Sequence, residues 1–179
     1  MMEENKTVDK KLLYPFLIML IGALMLVLTL LLPFASATGD YREGLEEYSD
    51  SVFSEELDMT NAEAKDISLV EYARIYAVTA EMGVSKGVSV AGLVIIIGFG
   101  IFAGMTLLFA LLRKPIPAII FNLLALAVFR ITKWDFEDRG VVGNSSYDWG
   151  IGQYFCYIGG IVVIVGAVAL LRSRKIAKQ

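Results

Sequence analysis

The 179-residue sequence contains no histidine and a single cysteine, Cys156. Without histidine there is no imidazole acid–base catalysis and no His/Cys metal site. One cysteine excludes an intramolecular disulfide in any redox compartment. A Walker-type phosphate loop, a G-x-S-x-G elbow and a dinucleotide fingerprint are also missing, as is a basic aromatic patch of the kind nucleic acid requires. No catalytic residue, cofactor, metal or nucleic-acid partner is therefore expected. Carboxylates are absent from whole stretches: residues 113–115 and the tail after Leu171 hold none.

What the chain has in excess is apolar length. It is 56% hydrophobic with a mean hydropathy of +0.63, against about 45–50% apolar residues in a soluble domain. Four long runs carry the excess, at residues 12–34, 88–112, 116–132 and 150–171. An apolar helix of about 20 residues crosses roughly 30 Å of hydrocarbon. The third run is the shortest, and it opens with Pro115 and Pro117, which suit a helix start. The expectation is an all-α integral membrane protein, a four-transmembrane-helix bundle.

The charges sort by side. Beyond the N-terminal tail, every carboxylate falls in residues 35–87 (twelve) or 133–149 (four). Nine basic residues occupy the alternate connections: Lys6, Lys10 and Lys11 in the tail 1–11, Arg113 and Lys114 in the turn 113–115, and Arg172, Arg174, Lys175 and Lys178 in the tail 172–179. Basic residues near span ends stay cytoplasmic. Both termini are thus expected in the cytoplasm, with the acidic loops outside a plasma membrane. Ala35-Ser36-Ala37 matches an A-x-A cleavage pattern, but the apolar run before it far exceeds the roughly 7–15 residues of a signal-peptide core. Retention of the first run as an anchor is expected. Cleavage after Ala37 would leave three spans without inverting the rest.

The first acidic loop is long enough for a small helical cap between spans 1 and 2. Tyr41, Leu45, Tyr48 and Val52 share one helix face by spacing. Ser68-Leu69-Val70-Glu71 is a capping box that opens a second helix with the stripe Leu69, Tyr72, Ala73, Tyr76 and a stop at Gly83. These stripes pack on each other or on the outer span ends; a partner or ligand groove is the alternative. In the second loop, Trp134, Tyr147 and Trp149 fit an aromatic belt at the membrane interface. Asn144-Ser145-Ser146 formally matches a glycosylation acceptor and carries no further weight. The dense acidic stretch Asp135-Phe136-Glu137-Asp138 lacks the ligand alternation and glycine of a calcium loop.

Few side chains inside the spans carry polarity. Asn122 in the third span is read as making an interhelical hydrogen bond, with pore lining as the alternative. Arg130 lies near the outer end of the same span, placed to snorkel or to pair with Asp135 or Glu137. Gln153 meets interfacial water. Gly100 and Gly104 form a G-x-x-x-G spacing in the second span, and Gly152, Cys156, Gly159 and Gly166 with Val163 form a narrow stripe in the fourth. Both patterns allow close helix approach, within this chain or with a partner helix. Cys156 reads as a small packing residue.

Four spans, a longer first outer loop and a fourth span opening Gly150-Ile151-Gly152 with Gly159-Gly160 inside it resemble small bacterial four-span (tetraspan) membrane proteins of unassigned function. The outline is also similar to that of claudin-like tetraspans, whose tryptophan and paired-cysteine signature in the first outer loop is absent here. The resemblance is one of topology and implies no activity. The functional expectation is a non-enzymatic accessory, scaffold or sensing subunit of an envelope complex, in contact with the lipid bilayer and with a membrane-protein partner or further copies of itself. A small oligomeric channel or transporter subunit is the alternative.

Overall fold

Proline and glycine, more than hydropathy, decide where the apolar runs become helices. A proline disfavours helical backbone at the residue before it, and the first run turns at residues 29–32 ahead of Pro33. In the computed structural model, which describes residues 2–83 and 85–176 and side chains from residue 12 onward, helix α1 spans Met2–Leu28. The lysines at 6, 10 and 11, whose side chains fall among the first eleven residues, and Lys178 lie outside what is described. The expected first span, 12–34, is corrected at its C-terminal end: Pro33–Ala37 is not helix but strand β1.

After β1 come α2 (Gly39–Glu47), β2 (Val52–Ser54), β3 (Met59–Thr60), α3 (Asn61–Ala64), β4 (Asp66–Ser68) and α4 (Leu69–Glu81). Three long helices follow, α5 (Lys86–Leu111), α6 (Pro115–Asp138) and α7 (Gly152–Ile176), with β5 (Tyr147–Trp149) before the last. At 26, 24 and 25 residues, these rise about 36–39 Å. All three are long and apolar enough to cross a membrane, and Leu12–Leu28 of α1 is a shorter apolar helical stretch.

Residue size is distributed as a lipid-facing bundle requires. The buried face of the long helices is rich in small side chains: Ala23, Ala103, Ala110, Ala118, Ala125 and Ala167. Large aliphatic groups point outward instead, among them Ile21, Val94, Ile101, Ile120, Ile131, Ile161 and Val165. Small residues let helix backbones approach, and the outward aliphatics would be a severe liability in water. α1 packs most extensively on α7, and α5 on α6.

The all-α expectation, and with it the purely helical cap, is corrected to mostly helical. Over one end of the helix bundle lies a three-stranded antiparallel sheet in the order β4-β1-β5, and β2 and β3 pair as a separate hairpin. These strands are two to five residues long, too short to show an alternating pattern. Val52 does not continue the helical face from Tyr41, because α2 ends at the C-cap Tyr48 and Val52 lies in β2. α4 does start at the Ser68/Glu71 capping box, with Leu69, Tyr72 and Tyr76 buried. A second box, Thr60 with Glu63, starts α3.

Candidate functional site

The seam between cap and bundle holds a cluster of aromatic rings and several half-buried ions. Phe34 forms its hub. It follows Pro33 in β1, so the strand that continues from the first apolar run delivers a fully buried ring to the centre of the seam. It meets Phe136 at 5.1 Å, Trp149 at 5.3 Å, Phe129 at 5.7 Å and Tyr72 at 6.2 Å, all edge-on. This geometry sets the positive ring edge against a negative face.

Two ionic clasps flank the hub. Arg139 caps α6, pairs with the Asp135 carboxylate one turn earlier and donates through Nη2 to the Tyr76 hydroxyl at 2.6 Å. Its guanidinium also lies 5.4 Å from the Tyr76 ring centre and 5.5 Å from that of Phe136. Tyr76 can sit there because Gly92 of α5 has no side chain: a methyl at that position would stand 2.6 Å from the ring. Burial pushes the Tyr76 hydroxyl pKa up, against the opposing pull of Arg139, and burial raises that of Tyr72 as well. On the other side Lys133 donates to Gln153 at 2.9 Å, approaches Glu137 at 3.9 Å and lies 4.5 Å from the Trp149 ring centre. One cation thereby joins α6, α7 and β5.

Farther out, Arg42 grips Asp66 with both terminal nitrogens, at 3.2 and 3.4 Å, and also reaches Glu46 at 3.2 Å. Lys65 binds Glu46 at 3.1 Å. Lys65 first, then Arg42, holds the Glu46 carboxyl below its ordinary value. Arg74 reaches the Leu57 and Asp58 carbonyls, tying the β2–β3 hairpin to α4. Among the described residues, no cluster of carboxylates and thiols is placed to hold a metal ion.

The residues singled out in the sequence fall in several places. Asn122 is fully buried and donates through Nδ2 to the Gly160 carbonyl at 3.1 Å, while its Oδ1 has no hydrogen-bond partner. The Arg130 ion pair is corrected: Arg130 is exposed, Asp135 is taken by Arg139, and Glu137 by Lys133. The reason is that α6 continues as helix through 133–138, where a loop was expected, and four-residue spacing then favours these closer cations. Trp134 is exposed at a position suited to an interface belt. Trp149 and Tyr147 turn inward instead, the first onto Phe34 and the second donating its hydroxyl to the Ala64 carbonyl at 2.7 Å. Asn144 spends its amide within its own turn, on Gly140, Val141, Ser146 and Tyr147.

The two glycine patterns differ. On α7, methyls at Gly152 and Gly159 would stand 2.9 Å from the carbonyls of Pro33 and Gly22, and one at Gly166 would collide with the Met19 backbone. The fourth-span stripe, with Cys156 buried on it, is thus used against α1 and β1 within this chain. Gly100 meets only Leu30 at 3.7 Å, and Gly104 is exposed with nothing within 4 Å. Sequence reasoning passed over Gly22, Phe34, Tyr76 as an ion partner, Lys133 and Arg139. Of these, Lys133/Glu137 and Asp135/Arg139 carried a readable signal, their four-residue spacing. No protein-family model, no curated protein and no solved structure matches the chain.

Proposed function

We propose that the chain is a four-span membrane protein of the plasma membrane, with both termini cytoplasmic and the cap outside. In this reading it acts as a non-enzymatic accessory, scaffold or sensing subunit of an envelope complex. The observation that carries this is the seam. Aromatic packing and two ionic clasps couple the cap to α6 and α7, and Tyr76 seats against Gly92 of α5, so an event on the cap is felt by the spans without a catalytic group. Retention of the first span is supported by the seating of Gly22 against Gly159 and Val163, and by the place of Ala35-Ser36-Ala37 inside the central strand.

The polar groups within the spans serve the same reading. Thr106 and Thr132 donate to carbonyls one turn back on their own helices, Thr29 donates to the Met25 carbonyl in the last turn of α1, and Asn122 bonds across to α7. The channel alternative would line a path between copies with Asn122 and the glycine-rich second and fourth spans. Asn122 is enclosed within a single copy, which favours the first reading. Purification in mild detergent from native membranes, followed by native mass analysis, tests it. The expected result is a stoichiometric complex with another membrane protein or with further copies. A strictly monomeric particle, together with ion flux in reconstituted liposomes that Asn122→Leu abolishes, would overturn it.

A further inference from the structure

At the end of the bundle away from the cap, α6 and α7 leave a shallow trough of about 230 Å³ between them. Pro115, Ile116, Pro117 and Leu171 form its floor, and Lys114 and Arg174 its rim. Arg174 is held in place, because its Nη2 donates to the Arg113 carbonyl at 2.7 Å. Arg113 adopts a left-handed backbone, φ +55°, and lays its own guanidinium 4.6 Å from the Phe16 ring centre. Among the described residues no carboxylate pairs with Lys114 or Arg174. Pro115 and Pro117 carry no N–H, so the first turn of α6 offers an anion little through its backbone. Recognition therefore falls to the two side-chain cations.

An apolar floor beneath an unneutralised cationic rim matches one ligand chemistry: a hydrocarbon chain bearing a negatively charged head. We propose that this trough binds one anionic phospholipid, with an acyl chain along Pro115, Ile116, Pro117 and Leu171 and its phosphate between Lys114 and Arg174. The site rests on the membrane reading of the bundle given above. Free phosphate lacks the chain that fills the floor, and a zwitterionic lipid brings its own cation to the rim.

The test titrates the full-length protein in mild detergent with phosphatidylglycerol, phosphatidylcholine or inorganic phosphate, scoring bound lipid by native mass analysis. Phosphatidylglycerol is expected to bind about tenfold more tightly than phosphatidylcholine. The double variant Lys114→Gln/Arg174→Gln should abolish that preference, and Lys114→Gln alone, an exposed change, should reduce it about threefold. Leu171→Trp keeps both charges but fills the trough, and should weaken both lipids. Lys175→Gln, of equal charge change but outside the trough, should shift binding less than about twofold. Equal affinity for the two lipids overturns the site, as does a Lys175→Gln loss as large as the double variant's, or full competition by inorganic phosphate. Wild-type protein recovered in buffer without detergent would instead overturn the membrane reading itself, so the two failures are distinct.

Discussion

At the scale of single residues, the seat between α1 and α7 is the tightest contact among the long helices. A methyl at Gly22 would stand 2.5 Å from the Val163 nitrogen, a backbone atom that no rotamer change can move. Gly22→Ala should therefore destabilise the protein by about 1–3 kcal/mol, the usual cost of overpacking. Gly104→Ala meets open space and should be neutral or slightly stabilising. Thermal unfolding in detergent separates the two, and equal effects would refute the seat. Phe34→Ala removes the hub of the seam and is expected to cost about 3–5 kcal/mol. Its signature would be faster protease nicking within residues 40–82 while the spans persist.

At the scale of elements, the cap carries exposed carboxylates whose folded pKa values are depressed. Lys65 and Arg42 act on Glu46, and Thr60 acts on Glu63 through the capping box. A depressed carboxylate contributes stability that is present above its unfolded value of about 4.3 and lost as pH falls through the folded value. Hydrogen exchange across residues 39–68, corrected for the intrinsic rate, should be flat from pH 7 to 5 and should rise below about pH 4. Glu46→Gln should raise exchange at pH 7 and flatten the acid response.

The same elements show which parts of the fold can be read locally. The four apolar runs are visible because each carries its signal within itself. So is α4, whose capping serine, capping glutamate and tyrosine stripe are all local. Thr60-Asn61-Ala62-Glu63 carried the same signal and passed unread. The strands could not be found in this way. β1 draws its hydrogen bonds from β4 and from β5, far along the chain, and Pro33-Phe34-Ala35 looks like the tail of a span until those partners are known. The seam ions lay partly in view, since Lys133, Asp135, Glu137 and Arg139 are spaced for helical pairs. Their contacts with Gln153 and Tyr76 depend on tertiary packing alone.

On the scale of the whole molecule, the proposed topology puts the cap and the basic ends on opposite sides of the bilayer. With Cys156→Ala as background, Ser51→Cys should react with an impermeant maleimide added to intact cells. Lys175→Cys should react only after the membrane is opened. The reverse pattern would invert the protein, and labelling of both in intact cells would remove it from the bilayer.

The central position of β1 also governs when the cap can be completed during synthesis. One neighbour of this strand is made soon after it, but the other, β5, precedes the last helix. A ribosome that has produced the chain only through α5 holds an open sheet edge and a Phe34 without Phe129, Phe136 and Trp149. In the proposed topology that edge closes only when the segment after α6 has been carried across the bilayer, so completion of the cap waits on nearly the entire described chain. Stalling translation before Tyr147 should accordingly leave a nascent protein that quality-control proteases recognise by its unfinished outer face.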